Sequence, residues 1–196
     1  MKTLALFDFD GTLTQKDSLF EMAKHVSSPA IYYLKISVLI PVFTLMKTSL
    51  LSKQRGKEIF MQLFFGGMKI EDFNQQCYKF CNQRLPEIIR PKALIALQQY
   101  QENNTDTYIV SASPENWIKP WAEKLGIKVL STQLEVQNLR ITGRILGNNC
   151  NHEEKVNRIK NHINLTEYNH IVAYGDTKGD FPMLNLANTK HYKPFQ

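Results

Sequence analysis

Asp8 and Asp10 stand one residue apart at the end of the apolar run Leu4-Ala5-Leu6-Phe7, with Gly11 and Thr12 directly after them. In an extended chain, residues i and i+2 face the same side. Both carboxylates therefore project into one space at the C-terminal end of a strand, while Phe9 turns away into packing. Two carboxylates held this close repel unless a cation or a shared proton lies between them. A hard divalent ion such as Mg²⁺ meets that need, because it takes oxygen ligands and keeps open positions for substrate phosphate. Gly11 permits a sharp turn out of the strand. Three further polar groups follow in the chain. Ser111 comes after Thr107–Val110, Lys155 lies in the first turn of a helix after Cys150, and Asp176 and Asp180 follow His170–Tyr174. Taken singly, a serine at a strand end is more often a turn residue, and a lysine in a first helical turn is more often solvated. Their order along the chain gives them weight.

The elements that must position these groups are legible as periodicities. Asp17 or Ser18 caps a helix through Val26, and Ser27-Ser28-Pro29 ends it. The stretch from Ala30 to Leu51 is apolar and is interrupted by Lys35, Pro41 and Lys47. Helical patterns follow at Lys57–Phe65 and Ile70–Leu85, on either side of Gly66-Gly67, a possible flexible point. From Pro91 helices and strands alternate. Helices are expected at Lys92–Asn103, Trp117–Leu125, Glu153–Asn164 and Phe181–Ala187. Strands are expected at Thr107–Val110, Lys128–Ser131, His170–Tyr174 and Lys190–Tyr192, with a hairpin at Gln133–Val136 and Arg140–Arg144. Such alternation implies a parallel sheet covered on both faces, with its ligand at the C-terminal ends of the strands. The expected division is an α/β core of residues 1–15 and 90–196, with a helical cap of residues 16–89 inserted after the first strand. Its junctions near Gln15 and Arg90 are hinge candidates.

Asp8-Phe9-Asp10-Gly11-Thr12 and Gly175-Asp176-Thr177-Lys178-Gly179-Asp180, with Ser111 and Lys155 between them, resemble the four motifs of the haloacid dehalogenase-like (HAD) hydrolase superfamily. The helical insertion after the first motif is similar to the phosphoserine phosphatase-like branch. Val110-Ser111-Ala112-Ser113-Pro114, Glu154-Lys155-Val156 and Ala173-Tyr174-Gly175-Asp176 look like a bacterial phosphatase group that includes phosphatidylglycerophosphatase C-like enzymes. Relatives commonly carry Gly before the Glu-Lys pair, where this chain has Asn151-His152-Glu153.

The resemblance implies a Rossmann-like, HAD-type core and Mg²⁺-dependent hydrolysis of a phosphate monoester. Asp8 would be the nucleophile that forms an aspartyl-phosphate, and Asp10 the general acid and base. Asp8, Asp10 (through its backbone carbonyl), Asp176 and Asp180 would serve the metal. Ser111 and Lys155 would hold the phosphoryl group, aided by Gly11, Thr12 and Ala112. The substrate would be a phosphorylated small molecule or, alternatively, a lipid head group at a membrane surface, with Glu21 and Arg55 in the cap as possible selectors. His152 is expected at the surface, and Trp117 and Trp121 in packing.

The chain has 196 residues and a formal net charge of +6. That modest positive field favours anionic substrates or surfaces. With no long Lys/Arg run or recognisable motif, nucleic acid is not an expected partner. Cys77, Cys81 and Cys150 form no disulfide framework and are expected to be buried free thiols. No cleavable signal is read at the N-terminus, so a cytoplasmic protein is the expectation, with membrane association as the alternative. Residues 30–51 approach the length of a membrane span, but Lys35 and Pro41 break the run. A single crossing would also separate Asp8 from the rest of the site. The options left are a buried pair of cap helices, which is the expected one, or a hairpin resting in the membrane interface.

Overall fold

The computed structural model describes residues 2–196. Strand β1 (Thr3–Phe7) is the centre of a five-stranded sheet. It lies between β2 (Asp106–Pro114) and β6 (His170–Gly175), with β3 (Lys128–Thr132) beyond β2 and β7 (Thr189–Tyr192) beyond β6. Every neighbouring pair in this sheet is parallel. The pleat sorts β1 between two cores: Ala5 and Phe7 join the larger one, Leu4 and Leu6 the smaller one beneath helix α8 (Glu153–His162). A strand buried on both faces needs an unbroken apolar run, which residues 4–7 supply.

Between β1 and β2 the chain forms α1 (Ser18–His25), α2 (Pro29–Lys47), α3 (Lys53–Phe65), α4 (Ile70–Gln83), the single turn α5 (Leu85–Ile88) and α6 (Pro91–Glu102). Helix α7 (Glu115–Lys124) links β2 to β3, and the turn α9 (Phe181–Leu184) follows β6. The ends of the insertion are clamped together. Thr14 bridges Ile89, Gln15 N–H donates to the Ile88 carbonyl (2.7 Å), and Arg90 N–H donates to the Leu13 carbonyl (2.8 Å). The hairpin β4 (Leu134–Gln137) and β5 (Arg140–Ile145) lies outside the main sheet and is stitched to the cap. Gly67 N–H donates to Ile141 O (2.8 Å), Ile70 N–H to Leu139 O (2.9 Å) and Ile145 N–H to Glu58 Oε1 (3.2 Å). Gly66-Gly67 is thus the anchored end of α3.

The apolar stretch 30–51 departs from the expected buried pair. It forms one helix, α2, which carries Pro41 within it, and of its residues only Tyr32 and Leu39 are buried. The reason is a shortage of neighbours: α3 and α1 pack on one side of α2, and nothing described covers the other. Ser111 lies inside β2 rather than at its end, since the strand continues to Pro114 with a register shift against β3. Phe181–Ala187 keeps one helical turn and Glu153–Asn164 stops at His162. Cys77, Cys81 and Cys150 are buried and free, and burial raises the thiol pKa of each.

Candidate active site

The carboxyl ends of β1, β2 and β6 meet the cap around a cavity of about 500 Å³ lined by Asp8, Asp10, Ser111, Ala112, Lys155 and Asp180. Asp8 continues the sheet, its N–H donating to Tyr174 O (2.9 Å), so its side chain is fixed by the strand itself. Lys155 is wholly buried. Its Nζ donates to Asp8 Oδ1 (2.6 Å), Asp180 Oδ1 (2.7 Å) and Val110 O (2.8 Å). All three ammonium protons are thereby spent, the condition for burying such a charge.

Carboxylate oxygens of Asp8, Asp176 and Asp180 come within 4.8 Å of one another. Burial, then Asp180, push the Asp8 carboxyl up to about 7 against the opposing pull of Lys155. Asp176 is also raised, by burial and by Asp180. Burial works upward on Asp180 as well, but Lys155 and the Thr177 donors outweigh it and leave it lowered. One lysine does not neutralise three crowded carboxylates, and an all-oxygen donor set suits a hard divalent cation. The residues present therefore fit Mg²⁺.

Asp180 Oδ2 is held by the N–H groups of Asp176 (3.2 Å) and Thr177 (2.9 Å) and by the Thr177 hydroxyl (2.9 Å). This network makes Asp180 the post that shapes the loop after β6. Thr12 Oγ1 sits 3.1 Å from Asp8 Oδ2 and 3.3 Å from Asp176 Oδ1. Gly11 adopts φ +83°, and a Cβ there would run into the Asp176 carboxylate. Its N–H, expected to face phosphate, donates instead to Thr14 Oγ1 (3.2 Å). The demand for glycine comes from the turn and from the close approach of Asp176.

Asp10 stands apart from the three-carboxylate cluster. Its Oδ1 accepts from Ser18 N–H (2.6 Å) and its Oδ2 from the Ser113 hydroxyl (2.6 Å). Behind them, Trp117 Nε1–H donates to Ser18 Oγ (3.0 Å), which lies 3.2 Å from Ser113 Oγ. Ser18 opens α1, so the cap's first turn and the core strand β2 jointly orient this carboxylate. Ser111 Oγ accepts from Ser113 N–H (3.0 Å), which leaves its own proton for another acceptor.

Lys57, on α3, escapes sequence reasoning because a lone lysine on an amphipathic helix reads as solvated. Here it enters the cavity wall, donating to Ala112 O (2.5 Å) and Asn149 Oδ1 (3.0 Å). Among the described residues it makes no carboxylate ion pair. Burial lowers its pKa to about 8, with Asp10 and Asp17 pulling the other way. Asp17 also lines the cavity. Burial and Asp10 push it up to about 6, against the donor N–H groups of Leu19 and Phe20. The proposed selectors Glu21 and Arg55 lie elsewhere. Glu21 pairs with Lys24 (2.7 Å) and Arg84 (3.7 Å), and Arg55 pairs with Glu58 (3.2 Å) on the cap surface. His152 is exposed, and Trp117 and Trp121 are packed against Phe65, Phe73 and Phe9.

Fold and site together define a class: a Rossmann-like α/β protein with an acidic centre at the carboxyl edge of its sheet and helices above it. The particular family follows from comparison. The model of the haloacid dehalogenase-like hydrolases matches residues 5–185, and the chain belongs to that family. It is 32% identical over 205 residues to Protein CicA of Caulobacter vibrioides, covering 98% of this chain and 86% of the relative. It is 24% identical over 211 residues to a histidinol-phosphatase of Neisseria meningitidis, covering 96% and 88%. Among solved structures, a Bordetella pertussis protein of unknown function superposes with a TM-score of 0.83 at 21% identity, over 97% of this chain and 89% of that one. A substrate-bound phosphoserine phosphatase gives 0.69 at 20% identity, over 97% and 85%.

Proposed function

We propose that this protein is a Mg²⁺-dependent phosphatase that hydrolyses a phosphate monoester through an aspartyl-phosphate on Asp8, with the cap choosing the substrate. The carrying observation is the buried Lys155, which aims one ammonium at both Asp8 and Asp180 beside a third carboxylate, Asp176. The histidinol-phosphatase and phosphoserine phosphatase relatives support the reaction class.

Asp8, Asp176 and Asp180 would hold the ion, with the Asp10 carbonyl as a further ligand. When bound, it would neutralise charge between Asp8 and the phosphoryl oxygens. An Asp8 carboxylate oxygen attacks phosphorus, the bond to the ester oxygen breaks, and the departing alcohol takes a proton from Asp10. Water then attacks the same phosphorus, Asp10 takes its proton, and the bond to Asp8 breaks to release inorganic phosphate. The Ser111 hydroxyl donates to a phosphoryl oxygen, and Lys155 stabilises charge as it shifts between phosphate and Asp8. The Ala112 N–H completes the phosphate cradle, while Thr12, expected beside phosphate, spends its hydroxyl on the Asp8 and Asp176 carboxylates, and Gly11 keeps the turn open for Asp176.

Selection by the cap centres on Lys57, an ammonium at the cavity wall with neutral acceptors alone. A leaving group that carries its own anion would give Lys57 the direct ion pair it lacks, worth about 1.5–3 kcal/mol for a charge-assisted contact. The test is a panel of phosphate monoesters assayed with Mg²⁺ and with chelator. Turnover is expected with Mg²⁺ and lost with chelator. Substrates bearing a second anion are expected to have the lower KM, and Lys57→Gln to raise KM about tenfold for those alone. Lys57 is charged below about pH 8 and neutral above it, with Asp10, Asp17 and the un-ionised Cys150 around it. The KM advantage therefore fades as pH rises through that value. Chelator-insensitive turnover, or no hydrolysis of any monoester, would overturn the reading.

A further inference from the structure

Helix α2 has two unlike faces. Phe43 and Met46 turn inward and line the site cavity, as do Lys47 at the end of the helix and Lys53 at the start of α3. The other face presents Ile31, Leu34, Val38 and Leu45 to solvent, continued by Leu50 just past the helix, with Ile40 exposed on its far flank; Leu34 is 66% and Val38 60% exposed. Tyr33 flanks this face, 69% exposed. A contiguous apolar surface of this kind marks an interaction site.

Two features say what covers it. The first is how its polar atoms are satisfied. The hydroxyls of Ser37, Thr44 and Thr48 donate back to the carbonyls of Leu34 (2.7 Å), Ile40 (3.0 Å) and Thr44 (3.2 Å). The face can therefore leave water without stranding those donors. The second is charge. From Pro29 to Lys53 there is no acidic residue, and Lys35, Lys47 and Lys53 make no ion pair among the described residues, whereas Lys24 and Arg55 on either side are paired with Glu21 and Glu58. The Lys35 ammonium lies over the Phe64 ring, 5.1 Å from its centroid, and Lys47 is exposed at the end of the helix.

We propose that the outward face of α2 docks on an anionic lipid bilayer, and that docking holds the site cavity, lined by the inward face of the same helix, beside the membrane surface. A second copy of the chain is the poorer occupant, because face-to-face pairing would set the unpaired Lys35, Lys47 and Lys53 of one copy against those of the other. Anionic lipid neutralises these lysines, each basic residue near the surface contributing about 1 kcal/mol. The helix lies in the interface and does not cross it. Its two ends return through α1 and α3 to the same body. Pro41, having no N–H, also leaves the Ser37 carbonyl without its helical partner, which is tolerable at headgroup depth and costly in hydrocarbon.

The inference stands apart from the phosphatase reading, and its test does not require turnover. The purified full chain is floated with vesicles of equal parts phosphatidylcholine and phosphatidylserine, a lipid with no phosphate monoester, and with vesicles of phosphatidylcholine alone. Co-flotation is expected with the anionic vesicles and is weakened by salt. The double variant Leu34→Glu/Val38→Glu should lower the bound fraction roughly tenfold or more. Both positions are exposed, so its thermal melting should match that of the parent. Failure of the parent chain to float would overturn the proposal, as would flotation indifferent to the double variant. A dimer in light scattering that the same variant splits would assign the face to a second copy instead.

Discussion

Asp8→Asn is expected to lower Mg²⁺-dependent phosphate release from an aryl phosphate by at least about 1,000-fold while leaving the protein folded. An amide of the same shape fills the same buried space, but its oxygen does not attack phosphorus. The fold should tolerate the change because Asp8 sits in a cluster where burial and Asp180 already oppose its ionisation. Without metal, the variant should melt no lower than the parent, since one of three crowded carboxylates has gone. Those paired outcomes separate loss of a nucleophile from loss of structure. Turnover within tenfold of the parent would remove Asp8 from the role assigned to it.

Lys155→Met should be the most damaging substitution in the core of the site. The methionine fills much of the lysine's volume, so the effect reports the charge. Asp8 Oδ1 and Asp180 Oδ1 lose their shared partner, and the Val110 carbonyl loses its donor. Breaking a buried pair from one side costs about 3–5 kcal/mol, to be read by denaturant unfolding in chelator. The sign of the pH dependence follows. The unpaired carboxylates are costly when ionised, so the deficit should be greatest at alkaline pH and shrink as Asp8 and Asp180 take up protons. Added Mg²⁺ should recover part of the stability by replacing the lost positive charge, but not the activity. Unchanged unfolding in chelator would mean that Lys155 is not the counter-charge of this cluster.

What the sequence made legible was whatever a strand end dictates. Asp8, Asp10, Asp176 and Asp180 were readable because short motifs at the ends of β1 and β6 can face only one edge of a parallel sheet. Ser111 was readable by its order in the chain, although β2 carries it inside the strand and not at its end. What was hidden depends on docking between elements distant in sequence. Lys57 reaches Ala112 and Asn149 only because α3 settles on the sheet edge. The run from Trp117 through Ser18 and Ser113 to Asp10 needs α7, α1 and β2 to meet. The apolar run of α2 misled for a related reason. Composition reports what a helix can bury, whereas the supply of neighbours decides what it does bury, and here one face has none.

In the proposed reaction phosphorus is attacked twice, first by Asp8 and then by water. Each in-line displacement inverts the configuration at phosphorus, so two of them restore it. The direct measurement is the stereochemical course of hydrolysis of a phosphate ester made chiral at phosphorus with oxygen isotopes. Net retention is the predicted result, and it does not require the aspartyl-phosphate to accumulate. Net inversion would mean a single displacement by water and would contradict the account.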